Sequence, residues 1–181
     1  LPAAIGAVII LGFYRLSWPT RRQLWLLLVV ASGISFGFPV LTAVGMQSVP
    51  SSHGGIILGG LPLMTALIAC FLSGERPSPL FWLLAVTGFL IIAVYSVVST
   101  GTSADIALYK GDIALFGAVL FASLGYAQGG LLARELGGWQ VICWTLVVSL
   151  PFLVPLTVVL GDVTAFQNLP MQGWLAFAFL A

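Results

Sequence analysis

Few side chains in this 181-residue sequence could take part in acid–base, nucleophilic or metal chemistry. His53 is the single histidine, and the two cysteines, Cys70 and Cys143, lie within apolar runs. A zinc site requires several ligands, and a serine hydrolase requires a nucleophile motif such as Gly-x-Ser-x-Gly; the sequence has neither. We therefore expect no catalytic residue, no metal site and no cofactor, and the sequence does not predict an enzyme.

His53 follows Ser51 and Ser52 at the start of an apolar run. Because histidine changes its charge near neutral pH, a pH-sensing or substrate-binding role is one interpretation. The favoured interpretation is simpler: His53 caps a helix or faces water at the membrane surface.

The composition excludes a water-soluble globular domain. Apolar residues make up 60% of the sequence and charged residues only 6%, whereas soluble domains carry about 25% charged residues. Six basic and five acidic residues cannot cover a water-facing surface, and a net charge of +1 provides no basic field for nucleic acid. The composition predicts a membrane protein whose main partner is the lipid bilayer, with no nucleic-acid partner.

Seven apolar runs predict membrane helices, because about 20 helical residues cross an apolar core of about 30 Å. The runs are Leu1–Phe13, Leu24–Met46, His53–Leu72, Leu80–Ser99, Asp112–Ala133, Trp139–Leu160 and Met171–Ala181. They are apolar on all faces and lack alternation, which favours helices over barrel strands. The first and last runs are too short to cross. We expect both to be cut helices of a longer protein, rather than the first being a signal peptide.

Basic residues in alternate loops predict the orientation. One set of loops holds Arg15, Arg21, Arg22, Arg76 and Arg134. The other set holds only Lys110. Because short basic loops stay cytoplasmic, the runs that start at Leu24, Leu80 and Trp139 are predicted to run outward. Short loops without glycosylation signals suit a multi-pass protein of a bacterial inner membrane.

Small residues recur at the spacing of packed helices. Gly-x-x-x-Gly pairs occur at Gly33 and Gly37, Gly55 and Gly59, and Gly125 and Gly129. Small residues let helix backbones approach closely in lipid, so the pairs predict tight packing inside a helix bundle. A homodimer formed through one of these faces is the alternative.

Two prolines inside the predicted helices, Pro39 and Pro62, are candidate kinks or hinges. Proline removes a backbone hydrogen bond and bends a helix. Both are predicted near mid-membrane on neighbouring helices, and interrupted helices form hinges and binding sites in transporters.

Polar residues on the second predicted helix share one face. The stripe consists of Ser32, Ser35, Pro39, Thr42 and Met46. It either lines a polar cavity or hydrogen-bonds back to its own carbonyl groups, as Ser and Thr readily do. On the run Asp112–Ala133, Tyr126 shares the small-residue face, whereas Gln128 faces nearly the opposite way. Tyr126 is therefore the preferred cavity-lining residue.

In order and spacing, several segments resemble the EamA family of the drug/metabolite transporter superfamily. They are the link Gln47–Ser52, Leu61-Pro62-Leu63, the helix stop Gly74-Glu75-Arg76, and an alanine-rich helix from Gly111-Asp112 to Ala133-Arg134-Glu135. The resemblance is most marked over Val44–Tyr95 and spans nearly the whole chain. One departure is visible: the family usually places two glycines in its fifth helix, and only Gly88 is found here.

The resemblance implies an all-α bundle of ten membrane helices, arranged as two inverted five-helix units. Residues 1–99 would be the first unit without its start, 100–111 an outer loop, and 112–181 the start of the second unit. It also implies a secondary transporter, a permease or exporter that moves a small organic metabolite by alternating access. A non-transporting assembly subunit and an intramembrane enzyme are the alternatives.

Depth and polarity select the candidate pathway residues. They are Ser35, Thr42, Thr65, Tyr126 and Trp144. Trp144 lies one turn inside the membrane, where its ring could stack on a substrate or contact lipid.

Overall fold

The computed structural model describes residues 2–14, 18–74, 76–99 and 110–160, and all regular elements in these ranges are helical. They are α1 (Pro2–Phe13), α2 (Arg21–Ala31), a π-helical segment (Ser32–Gly37), α3 (Phe38–Gly45), α4 (Ser51–Gly59), α5 (Leu61–Ser73), α6 (Pro79–Ser99), α7 (Lys110–Leu136) and α8 (Gly138–Leu160). The predicted run Met171–Ala181, most of the predicted outer loop and Arg15 lie outside the described residues.

Four of these helical stretches are long and apolar enough to cross a membrane. They are Arg21–Gly45, Ser51–Ser73, Lys110–Leu136 and Gly138–Pro155. The apolar stretches Ala3–Phe13, within α1, and Pro79–Tyr95, within α6, are shorter. The all-α fold and the four long spans are confirmed, whereas the ten-helix arrangement stays a prediction.

Two membrane-spanning stretches are interrupted just before a proline. In the first, α2 runs into the π-helical segment, where the N–H of Phe38 reaches back to the carbonyl of Gly33, and Pro39 follows. In the second, α4 gives way to α5 at Gly60, and Pro62 occupies the first turn of α5. The structure therefore places a local change of helix geometry beside each predicted kink.

Helix α7 is the central element of the bundle and contacts α2, the π-helical segment, α3, α4, α5 and α8. It crosses the π-helical segment where Gly33 faces Gly125. A Cβ atom on Gly33 would collide with the carbonyl oxygen of Phe121 and would lie 3.0 Å from the Cα of Gly125. The packing role predicted for Gly33 and Gly125 is confirmed, because only glycine permits this approach.

Contacts at the two ends of α7 fix the directions of its neighbours. Arg22 Nη1, at the start of α2, lies 3.1 Å from both carboxylate oxygens of Glu135, near the end of α7. At the opposite end, Gly45 of α3 lies against Gly111. The stretch from α2 to α3 is therefore antiparallel to α7.

Helices α4 and α5 run parallel to α7, because His53 contacts Asp112 and Thr65 contacts Ser123. It follows that the described arginines, Arg21, Arg22, Arg76 and Arg134, gather at one end of the bundle, which we call the arginine end. Lys110 lies at the other, which we call the lysine end. This grouping agrees with the predicted topology; which end faces the cytoplasm stays a prediction.

Gly74 ends α5 as predicted. Its φ of 68° is left-handed, and its N–H donates to the carbonyl oxygen of Cys70 at 2.9 Å. This conformation favours glycine and satisfies an otherwise free carbonyl at the helix end.

We expect Gly74→Ala to destabilise the complete protein by about 1 kcal/mol, because a Cβ atom strains left-handed backbone. Thermal unfolding in detergent measures the effect. Gly88→Ala is the control: Gly88 lies within α6, and a Cβ atom there meets no atom within 4 Å. Alanine at Gly88 is expected to be neutral or slightly stabilising. Equal shifts in the two variants would contradict the left-handed cap.

Candidate functional site

A cavity of about 410 Å³ lies between α2 with the π-helical segment, α7 and α8. Its polar lining residues are Ser35, Tyr126 and Thr145. The others are Val30, Ile34, Gly125, Gly129, Gly130, Ala133, Gly138, Val141, Ile142 and Leu146. None of these lining residues carries a charge, and a mostly apolar hollow with a few polar groups is typical of a small-molecule site.

Glycines shape the cavity along α7 and at the α7–α8 junction. A Cβ atom at Gly130 would meet nothing within 4 Å, so the missing side chain leaves open space in the cavity wall. Gly137 joins the two helices with a φ of 91°, a conformation that favours glycine and turns the chain sharply into α8. The space of the cavity therefore exists because glycines, which have no side chain, occupy the half of α7 nearest the arginine end.

Ser35 and Tyr126, predicted separately from two helices, both border this cavity. Tyr126 is 44% exposed. Ser35 Oγ lies 3.0 Å from the hydroxyl of Ser149, which is fully buried on α8 and donates to the carbonyl oxygen of Thr145 at 2.7 Å. The serine pair thus ties α8 to the π-helical segment beside the cavity.

Thr145 lines the cavity although the sequence did not indicate it. It is buried, and its Oγ1 has no hydrogen-bond partner among the described residues. A buried hydroxyl without a partner is unusual and calls for a reason such as a ligand. Its place in an apolar run, next to a tryptophan, offered no signal of its own.

Trp144 lies in the core, away from the cavity wall. It is 6% exposed, and its ring centroid is 5.2 Å from that of Trp18. It packs in a buried cluster with Leu27 and Leu132. Its predicted place on the substrate pathway stays a prediction, although the residue lies outside the cavity lining. The reason is helix geometry, since adjacent residues point about 100° apart and Thr145 takes the cavity side.

Thr65 and Thr42 lie outside the cavity lining. Thr65 Oγ1 donates to the carbonyl oxygen of Leu61 at 2.8 Å and lies 3.2 Å from the hydroxyl of Ser123, a fully buried residue of α7. This contact joins α5 to α7. The buried Oγ1 of Thr42, on α3, has no hydrogen-bond partner among the described residues.

The polar stripe expected on the second membrane helix is divided. Ser32 and Pro39 are exposed, whereas Ser35 and Thr42 are part-buried. The hydroxyl of Ser32 donates to the carbonyl oxygen of Val29 at 2.8 Å. This is the predicted alternative in which a polar side chain bonds to a carbonyl group of its own helix. The π-helical segment has more residues per turn than an α-helix, so positions before and after it no longer share one face.

A polar contact between helices lies at the lysine end. His53 Nε2 is 3.1 Å from Oδ1 of Asp112, whose side chain is 5% exposed. The interpretation of His53 as a helix cap is wrong, because Pro50 is the N-cap residue of α4. No sequence pattern predicts the pair, since both residues lie at the ends of apolar runs and only the packing of α4 on α7 joins them.

These features define a multi-pass α-helical membrane protein with an uncharged cavity among its membrane-spanning helices. No family model and no solved structure matches the chain. It is 42% identical over 158 residues to a protein of Bacillus subtilis (strain 168) named "Uncharacterized transporter YdeK", a match that covers 86% of this chain and 54% of that protein.

A second protein of the same organism, named "Uncharacterized transporter YyaM", is 26% identical over 152 residues, covering 81% of this chain and 48% of that protein. The chain spans about half the length of the curated relatives it matches. Both likenesses support a transporter family for this chain.

Proposed function

We propose that this chain forms part of a secondary transporter that moves a small neutral organic metabolite across the membrane by alternating access. The observation that carries the proposal is the uncharged cavity between the π-helical segment, α7 and α8. It lies within membrane-spanning helices of a chain similar to proteins named transporters. Outward transport, a bacterial inner membrane and membership of the EamA family belong to this proposal.

The lining indicates the substrate class. Moving a charged group into an apolar site without a partner costs several kcal/mol, and the lining residues carry no charge. Tyr126, Ser35 and Thr145 offer hydroxyl groups, and Val141 and Ile142 offer an apolar surface. We therefore propose a neutral molecule with an apolar body and at least one hydrogen-bonding group.

The interrupted helices supply the proposed motion. Pro39 and Pro62 each follow a change of helix geometry, where fewer regular hydrogen bonds resist bending. Rocking at these points would move α3 and α5 relative to α7. Thr42 and Thr65 lie on those two helices, and we propose that they join the pathway when the helices separate. Trp144 would hold the core in place.

Flux measurements on the complete protein in liposomes test the proposal. The panel contains neutral amino acid amides, nucleosides and aromatic alcohols, with organic acids and amines as charged comparisons. We expect saturable, protein-dependent flux of at least one neutral solute, with empty liposomes as the control. Absence of flux under every gradient favours the assembly-subunit alternative, and chemical conversion of a solute favours the enzyme.

A further inference from the structure

The contact between His53 and Asp112 joins α4 to α7 at the lysine end of the bundle. Asp112 lies in the first turn of α7 and is 4% exposed as a residue, whereas the His53 side chain is 26% exposed. The two atoms in contact, Nε2 and Oδ1, are 3.1 Å apart. A carboxyl group is rarely buried this deeply unless it has a partner that compensates its charge.

The pair lies in a tightly closed junction of α3, α4 and α7. A Cβ atom on Gly111 would collide with the carbonyl oxygen of Gly45 and would lie 2.6 Å from Cγ2 of Val49. Val49 itself is 6% exposed. The cavity reaches towards the other end, since Ala133 and Gly138 belong to its lining. The lysine end is therefore the closed end of the bundle in this structure.

Other titratable groups near this end are exposed. In the described parts of the elements packed there, α3 contributes none, α4 contributes only His53, α6 contributes Tyr95 and α7 contributes Lys110 beside Asp112. Tyr95 is 72% exposed, and Lys110 is also exposed. Water and salt screen exposed charges, so among the described residues His53 is the basic side chain that lies against Asp112 inside the junction.

We propose that the His53–Asp112 pair is a proton-binding site whose occupation holds the lysine end closed. This goes beyond the proposed transport function, because it assigns a second ligand, the proton, to a separate place in the bundle.

The proposal follows from the charge that the junction must bury. With a neutral imidazole, closure buries a net negative charge on Asp112, which is unfavourable in an apolar setting. With a proton on His53, the pair is neutral overall, and the attraction between the imidazolium and the carboxylate 3.1 Å away stabilises the closed junction. An open junction admits water to Asp112, so loss of the proton shifts the population towards the open state.

Cysteine accessibility in the complete protein, reconstituted in liposomes, tests this proposal without a transport substrate. Val49→Cys places a thiol in the closed junction, and Gln47→Cys places one at an exposed position of the same link. Cys70 and Cys143 are first replaced by alanine. A membrane-impermeant thiosulfonate reagent gives a labelling rate for each variant, and the ratio of the two rates removes the dependence of thiol reactivity on pH.

We expect the ratio for Val49→Cys over Gln47→Cys to fall by at least about fivefold between about pH 8 and about pH 6, as for coupled sites in general. His53→Gln should keep the high ratio at both pH values, because glutamine cannot bind the proton. Glu135→Gln, at the arginine end, should leave the pH response unchanged.

Three outcomes would overturn the proposal: an equal ratio at both pH values, a ratio that rises on acidification, and an unchanged pH response in His53→Gln. The first two need only the native pair, so a folding defect of His53→Gln cannot mask them. Asp112→Asn offers a second test, because it removes the charge that the proton compensates and should also abolish the response. Failure of transport leaves these readouts unaffected.

Discussion

Gly33→Ala is expected to destabilise the complete protein by about 2–3 kcal/mol, a typical cost of forcing extra atoms into a packed core. The added methyl group would collide with the carbonyl oxygen of Phe121 and lie about 3 Å from backbone atoms of Gly125. These obstacles are backbone atoms of α7, which no side-chain rotation can remove. The helices must separate, and in lipid their association depends on this close approach.

Thermal unfolding in detergent measures this effect, and Gly129→Ala is the matched control on the partner helix. A Cβ atom at Gly129 would lie 3.6 Å from Cγ1 of Val30, an ordinary van der Waals contact. Alanine also favours the helix more than glycine, so Gly129→Ala is expected to be neutral or stabilising. Similar destabilisation in both variants would show that the crossing at Gly33 has no special role.

The membrane spans could be predicted from the sequence because they depend on composition and length. Stretches such as Ser51–Ser73 have a strongly apolar composition and end at glycine, proline or charge. The ends of the helices follow local rules, as Gly74 illustrates. The grouping of arginines at one end follows once consecutive spans alternate in direction.

The facing of individual side chains could be predicted only in part. The predicted polar stripe requires the same angle of rotation at every residue from Ser32 to Met46. The π-helical segment changes that angle, so the prediction fails there. Gly33 lies in this segment and contacts α7 there. This contact depends on how the helices pack together, which the local sequence does not specify. For the same reason Thr145, and not its neighbour Trp144, borders the cavity.

Contacts between distant residues were the part that sequence patterns could not supply. His53 and Asp112 each stand at the end of an apolar run, where a polar residue normally faces water or lipid headgroups. Their meeting requires that α4 run parallel to α7 and in a particular register. Composition determines neither the direction nor the register of α4 against α7. Both depend on close packing, which small residues such as Gly111 permit.

Gly130→Leu is expected to reduce flux of the substrate identified in the liposome panel by at least about tenfold, the effect of losing about 1.4 kcal/mol at a binding step. Gly130 borders the cavity, and a Cβ atom there meets nothing within 4 Å. The leucine side chain can therefore extend into the cavity without displacing backbone, and it occupies space that a substrate needs.

The control for this substitution is Gly88→Leu on α6, where a Cβ atom also meets nothing within 4 Å and which does not line the cavity. Both changes replace glycine with a better helix former, so neither should lower the unfolding temperature in detergent. Flux is expected to survive Gly88→Leu and to fall by at least about tenfold in Gly130→Leu. Full flux through a folded Gly130→Leu protein would contradict the proposal that the substrate passes through this cavity. The solute would then cross the membrane by another route.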